Sequence, residues 1–217
     1  TYQPLEHRLQ PGEQLLVTID ASRRLRQTHR EVGGVSFHRV AGWARLPFDK
    51  QGEYVLPAEL EEAIRQMRLP MTRFYAVGDE PFGLETAIDK AAGFLDRIGV
   101  NQAATPLEFE IQGATSKLPP EVWARGVRHS LDRGYRFRHW EVTNEPYVGH
   151  AGRAFPTADS YLEHFLAVSR AIRSVHAEAQ IGMAIAHRSP AWGNCLLKRA
   201  AGQYDFVVGH YYSFPNV

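Results

Sequence analysis

The 217-residue chain switches repeatedly between short continuous apolar runs and stretches where apolar residues return every three to four positions. That rhythm describes parallel strands buried on both faces and the helices that cross between them, so the sequence reads as α/β. The first run is Gly34 to His38. A helix opens at Pro57, puts Leu60, Ala63, Ile64 and Met67 on one face, and is ended by Pro70. Met71 to Tyr75 is the second run, followed by a stripe of Leu84, Ile88, Ala91, Leu95 and Ile98, closed by Gly99 as a C-terminal cap. The third run spans Val100 to Thr105, before a helix from Pro120 to Asp132 that stops at Gly134. The fourth run is Phe137 to Thr143; the helix after it, from Asp159, turns Leu162, Phe165, Ser169 and Ile172 inward. Gln180 to Ile185 and Asp205 to His210 complete six strands, separated by a poorer helix from Pro190 to Ala201.

Upstream, Gln14 to Asp20 alternates less cleanly and leads into a charged stretch, Arg23 to Arg30, with no helical stripe. The expected division is therefore a lead-in over 1–31, with one strand outside the main sheet, and a partial barrel over 32–217. Alternating units also fit a doubly wound sheet, but no G-x-G-x-x-G follows the first strand, where a dinucleotide-binding sheet needs it. Polar side chains gather instead at the strand exits: His38, Arg73, Asn144 with Glu145, His187, and His210 with Tyr211 and Tyr212. Sites assembled from many strand C-termini belong to the (β/α)8 barrel, and about six of its eight units are expected here.

Charge narrows the partners. Twenty-five Lys and Arg against 24 Asp and Glu leave a net +1, which provides no electrostatic footprint for nucleic acid or an anionic membrane. No apolar run reaches the ~18 residues of a membrane helix. The single Cys195 cannot form an internal disulfide or a structural zinc site, and the ten His fall in no metal-ligand spacing, so neither metal nor cofactor is expected. Neither a cytoplasmic nor a secreted location is favoured.

The chemistry concentrates at Asn144-Glu145-Pro146. Pro146 lacks an N–H and breaks the fourth strand, fixing a turn that presents a carboxyl group at its mouth. Retaining hydrolysis of a glycosidic bond uses two carboxyl groups about 5 Å apart, one kept protonated by its surroundings to donate to the leaving oxygen, one ionised to attack the sugar carbon. Glu145 is the candidate for the first. The plainer reading is a solvated glutamate in a strand-end turn.

The segment Trp140-Glu141-Val142-Thr143-Asn144-Glu145-Pro146 resembles the fourth-strand signature of clan A glycoside hydrolases. The resemblance implies a TIM barrel in which Glu145 is the acid/base and Asn144 binds the hydroxyl beside the reacting carbon. It also implies an Arg at the exit of strand two, matched by Arg73, and a His and Tyr two residues apart at strand six, matched by His210 and Tyr212, the Tyr orienting the nucleophile. The chain looks most like the β-xylosidase and α-L-iduronidase or the α-L-arabinofuranosidase families. The clan's nucleophile is a Glu ending strand seven, which this sequence does not reach; it is expected beyond Val217, on a missing C-terminal segment or a second chain. The partner implied is a carbohydrate. The alternative is a non-catalytic carbohydrate-binding or interaction protein on a degenerate barrel.

Around this centre, Glu141 is expected to pair with Arg73 inside the barrel, and His38 and Trp140 to contact sugar. Each Trp alone is more ordinary as packing. Glu108 and Glu110 are expected in a solvated loop after the third strand. Asp79-Glu80-Pro81 reads as a sugar-contacting loop after strand two.

Overall fold

The structure, a computed structural model, describes residues 33–38, 57–79, 82–110, 117–148, 154–186 and 189–211, with isolated positions before residue 33. Six parallel strands make one sheet in sequence order: β1 (Val35–His38), β2 (Thr72–Phe74), β3 (Leu107–Glu108), β4 (His139–Val142), β5 (Gln180–Ile185) and β6 (Phe206–Gly209). Between them run α1 (Ala58–Gln66), α2 (Leu84–Ile98), α3 (Pro120–Asp132), α4 (Ala158–Val175) and α5 (Pro190–Arg199). The result is a curled partial (β/α)8 barrel in which β1 and β6 each pair with a single neighbour among the described residues. The expected strand at Gln14 to Asp20 and the division at residue 31 lie outside the described residues.

Register divides the side chains into two environments. Leu107, Trp140 and Ile181 align across β3, β4 and β5 and face the helices, where they join Ile88, Val127 and Phe165 in one core. One residue on, Glu108, Glu141, Gly182 and Phe206 align across β3 to β6 on the opposite, interior face. A Cβ at Gly182 would collide with ring carbons of Phe206, so the glycine is the slot that admits the ring. The predicted helix ends hold at Gly99 and Gly134, which take φ of 72° and 74° where a side chain would be strained.

Two expectations fail. The run Val100 to Thr105 is not the third strand: the Asn101 side chain accepts from Ala103 N at 3.0 Å and caps a 3-10 turn, Gln102–Ala104, and the strand begins only after Pro106. The α1 stripe is not buried either. Ile64 packs partly on the core, but Leu60 and Met67 stand 42% and 58% exposed. Beyond β1 the described residues offer no neighbouring unit for α1 to pack on.

Candidate active site

The exits of β2, β3 and β4 are joined by buried carboxylates. Arg73, on β2, meets Glu141, on β4, with two hydrogen bonds, Nε to Oε2 at 2.6 Å and Nη2 to Oε1 at 2.5 Å, the forked geometry that binds a carboxylate most firmly. The same Nη2 donates to Asn144 Oδ1 at 2.8 Å, which fixes the amide. Burial works against the Arg73 charge, yet the Glu141 carboxylate, through its charge and hydrogen bonds, outweighs it and raises the guanidinium pKa above its usual value. The expected Arg73–Glu141 pair is present.

Glu108 and Glu110 overturn their expectation. Both are fully buried, not solvated, because they satisfy donors that the strand exits leave over, backbone N–H groups for Glu108 and backbone and side-chain groups for Glu110. Glu108 accepts from Ala76 N at 2.9 Å and from Glu110 N. Burial, followed by the charge of Glu141, pushes its pKa well above the carboxylate range, favouring the neutral acid beside the Arg73–Glu141 pair. Glu110 accepts from Leu118 N at 2.7 Å, from Trp123 Nε1 at 3.0 Å and from the Thr143 hydroxyl, and lies 2.7 Å from His164 Nε2. Its own carbonyl accepts from Asn144 N at 3.1 Å. The signal for this was local: Leu107-Glu108-Phe109-Glu110 alternates apolar and polar after a proline, which is a strand pattern. Tyr161 and His164, buried on α4, carried no comparable signal.

These bonds hold an unusual turn. Thr143 and Glu145 have φ of 62° and 48°, and Ala76, at the β2 exit, has 60°. A left-handed backbone is costly for a β-branched residue such as Thr143, and persists only where neighbours over-determine it. Here Glu110 holds Thr143 by its hydroxyl and Asn144 by its N–H, and Val148 N closes the turn on Glu145 O at 3.0 Å. Strain at the exits of β2 and β4, on either side of β3, marks this end of the barrel as the built one.

Glu145 stands apart from the other three carboxyls. Its side chain is 15% exposed, whereas those of Glu110 and Glu141 are 0% and 1%. His210, just past β6, places Nδ1 2.7 Å from Glu145 Oε1, so two sequence-predicted residues 65 positions apart meet across the mouth. Trp140 does not join them. It is fully buried on the helix side, against Phe109 and Phe137 at centroid distances of 5.7 and 6.5 Å, so its ring is packing and the expected sugar contact is withdrawn. His38 ends β1, paired in register with Phe74. Tyr212, His187 and Glu80 lie outside the described residues. Among the described residues no three His, Cys, Asp or Glu side chains gather to hold a metal ion, and no helix is long and apolar enough to cross a membrane.

No protein-family profile matches the chain, and no curated protein does. Solved structures do match. The α-L-arabinofuranosidase of Thermotoga maritima, crystallised with arabinose, aligns with 81% of this chain and 42% of its own at TM-score 0.58 and 15% identity. A glucosidase from Croceicoccus marinus aligns with 84% of this chain and 44% of its own at 0.59 and 20% identity. The exo-β-1,4-mannosidase of Opitutaceae bacterium strain TAV5 aligns with 84% and 39% at 0.54 and 16% identity. The chain shares the barrel fold of these three glycosidases. It spans less than half the length of each of these three structures.

Proposed function

We propose that this chain supplies the acid/base side of a retaining glycoside hydrolase site, with Glu145 as the proton donor and acceptor. The observation that carries the reading is the contrast among four glutamates at neighbouring strand exits. Glu108, Glu110 and Glu141 are buried and engaged by fixed donors, while Glu145 alone reaches solvent, in a strained turn, with one oxygen held by His210. A carboxyl that must donate to a leaving oxygen and later take a proton from water has to be both reachable and oriented. Asn144 is oriented by Arg73 through its carbonyl, which turns its NH2 group to a sugar hydroxyl. The ionised partner carboxylate is a Glu on a seventh strand beyond Val217, with Tyr212 as its orienting hydroxyl and the substrate an oligo- or polysaccharide.

Glu145→Gln in the complete enzyme decides this. Turnover should fall by roughly 10²-fold or more on glycosides with poor leaving groups and far less on activated aryl glycosides, since only the former require proton donation. Equal losses on both would remove Glu145 from that role. Binding of oligosaccharide without hydrolysis of any aryl glycoside would instead indicate a carbohydrate-binding protein.

A further inference from the structure

We infer that Tyr161 is a positioning residue whose hydroxyl sets the junction of β4 and β5 and thereby the orientation of the Asn144–Glu145 turn. The argument starts from the strand ladder. Gln180 N donates to Arg138 O at 2.7 Å, and the register runs from His139 opposite Gln180 to Val142 opposite Met183. Groups from one parallel strand recur every second residue, so the next pair toward the mouth is Ala184 N–H and Val142 C=O. The Tyr161 hydroxyl bridges these two groups, donating to Val142 O at 2.7 Å and accepting from Ala184 N at 3.0 Å. The next residue, Thr143, begins the left-handed turn.

A phenol suits this place because it brings one proton and two lone pairs on a rigid stem. Burial raises its pKa well above the usual tyrosine range, so the proton stays. The ring is held by Phe155, edge-on at 5.5 Å, and by Trp192, stacked at 6.3 Å. One oxygen therefore ties α4, β4 and β5 together. Its reach extends to β6, since Ala184 pairs with Val208 and Ile185 with Gly209, one residue before the His210 that holds Glu145. Both strands that deliver the Glu145–His210 contact are referenced to Tyr161, β4 directly and β6 through β5.

The kinetic part of the test rests on the acid/base reading of Glu145; the exchange part does not. In Tyr161→Phe, amide hydrogen exchange at Asn144 and Ala184 should quicken by about tenfold or more with Phe74 unchanged, whereas Phe155→Leu, which loosens the same ring but keeps the oxygen, should not single out those two amides. In the complete enzyme, Tyr161→Phe should lower kcat by about tenfold on glycosides with poor leaving groups and leave KM within about twofold. Added to Glu145→Gln, it should cost almost nothing more, because the two act as a unit. Unchanged exchange at Asn144 and Ala184, or a full additional kcat loss in the Glu145→Gln background, would overturn the proposal. If Glu145→Gln leaves hydrolysis intact, the acid/base reading fails by itself, and exchange at the two amides alone decides the place of Tyr161.

Discussion

The exits of β2 to β4 and the outer flank formed by α1 and β1 are built from the same strand-helix unit, yet they use polar groups in opposite ways. At the exits, buried carboxyl groups are engaged from β2, α3 and α4 and hold two left-handed residues in place. On the flank, the charges are short-range surface pairs such as Arg65 with Glu61 and Glu62, and the apolar residues Leu60 and Met67 face outward. Polar satisfaction in a low dielectric rigidifies, while exposed ion pairs contribute little. The first region is built to hold a geometry, and the second is a face on which little yet depends.

The sharpest break of that contrast is Arg73→Met. It strands the Glu141 carboxylate without its partner, and an uncompensated buried charge costs about 3–5 kcal/mol. Thermal unfolding should show a large drop in Tm, most of which the double variant Arg73→Met, Glu141→Leu recovers. Arg65→Met, which breaks exposed pairs with Glu61 and Glu62 on α1, should barely move Tm. Equal drops for the two arginines would erase the distinction between the regions.

Glu108→Gln sharpens it through pH. An unfolded glutamate titrates near about 4.3, while folded Glu108 titrates higher because burial and Glu141 disfavour its charge. Between those values the unfolded chain releases a proton that the folded chain keeps, so the stability owed to Glu108 is full below about 4.3 and declines as pH rises through the folded pKa. Gln does not titrate. The Tm of the native protein relative to Glu108→Gln should therefore fall by a few degrees as pH is raised from 4, an expectation that a pH-independent difference between the two proteins would defeat.

The flank supplies the smaller effects. Arg68 is exposed and takes a left-handed φ of 47°, where a side chain is strained and glycine is not. Arg68→Gly should raise stability by about 0.5–1 kcal/mol in a urea titration, the reverse of what glycine does in an ordinary helix. Met67→Gln should change stability by less than about 0.5 kcal/mol, since the side chain is already largely in water.

How much of this was legible follows the same division. Period and caps place α2, α3, α4 and β5 almost to the residue, because those elements are buried on faces that repeat at the helical or strand spacing. Asn144, Glu145, Arg73 and His210 were singled out by their places at strand ends and by the resemblance, and the structure brings Arg73 onto Asn144 and His210 onto Glu145. Glu108 and Glu110 were misread because a charge after a strand is usually solvated, and nothing in the residue itself announces the donors that pay no attention to sequence distance, such as His164, 54 positions away. The third strand was misplaced because Asn101 makes a capped turn out of an apolar stretch. Tyr161 looks like any other apolar-face residue of a helix, and only the register of β4 on β5 shows what its oxygen meets.

Gly182 and Phe206 carry a consequence for how this sequence can drift. Any side chain added at position 182 meets the Phe206 ring, and any small residue at 206 leaves the hollow above Gly182 unfilled. A first step at either position is therefore a loss, and only a paired exchange, a larger residue on β5 with a smaller one on β6, restores the fit. The two positions behave as a single heritable character spread across neighbouring strands, so substitutions there should be found together or not at all.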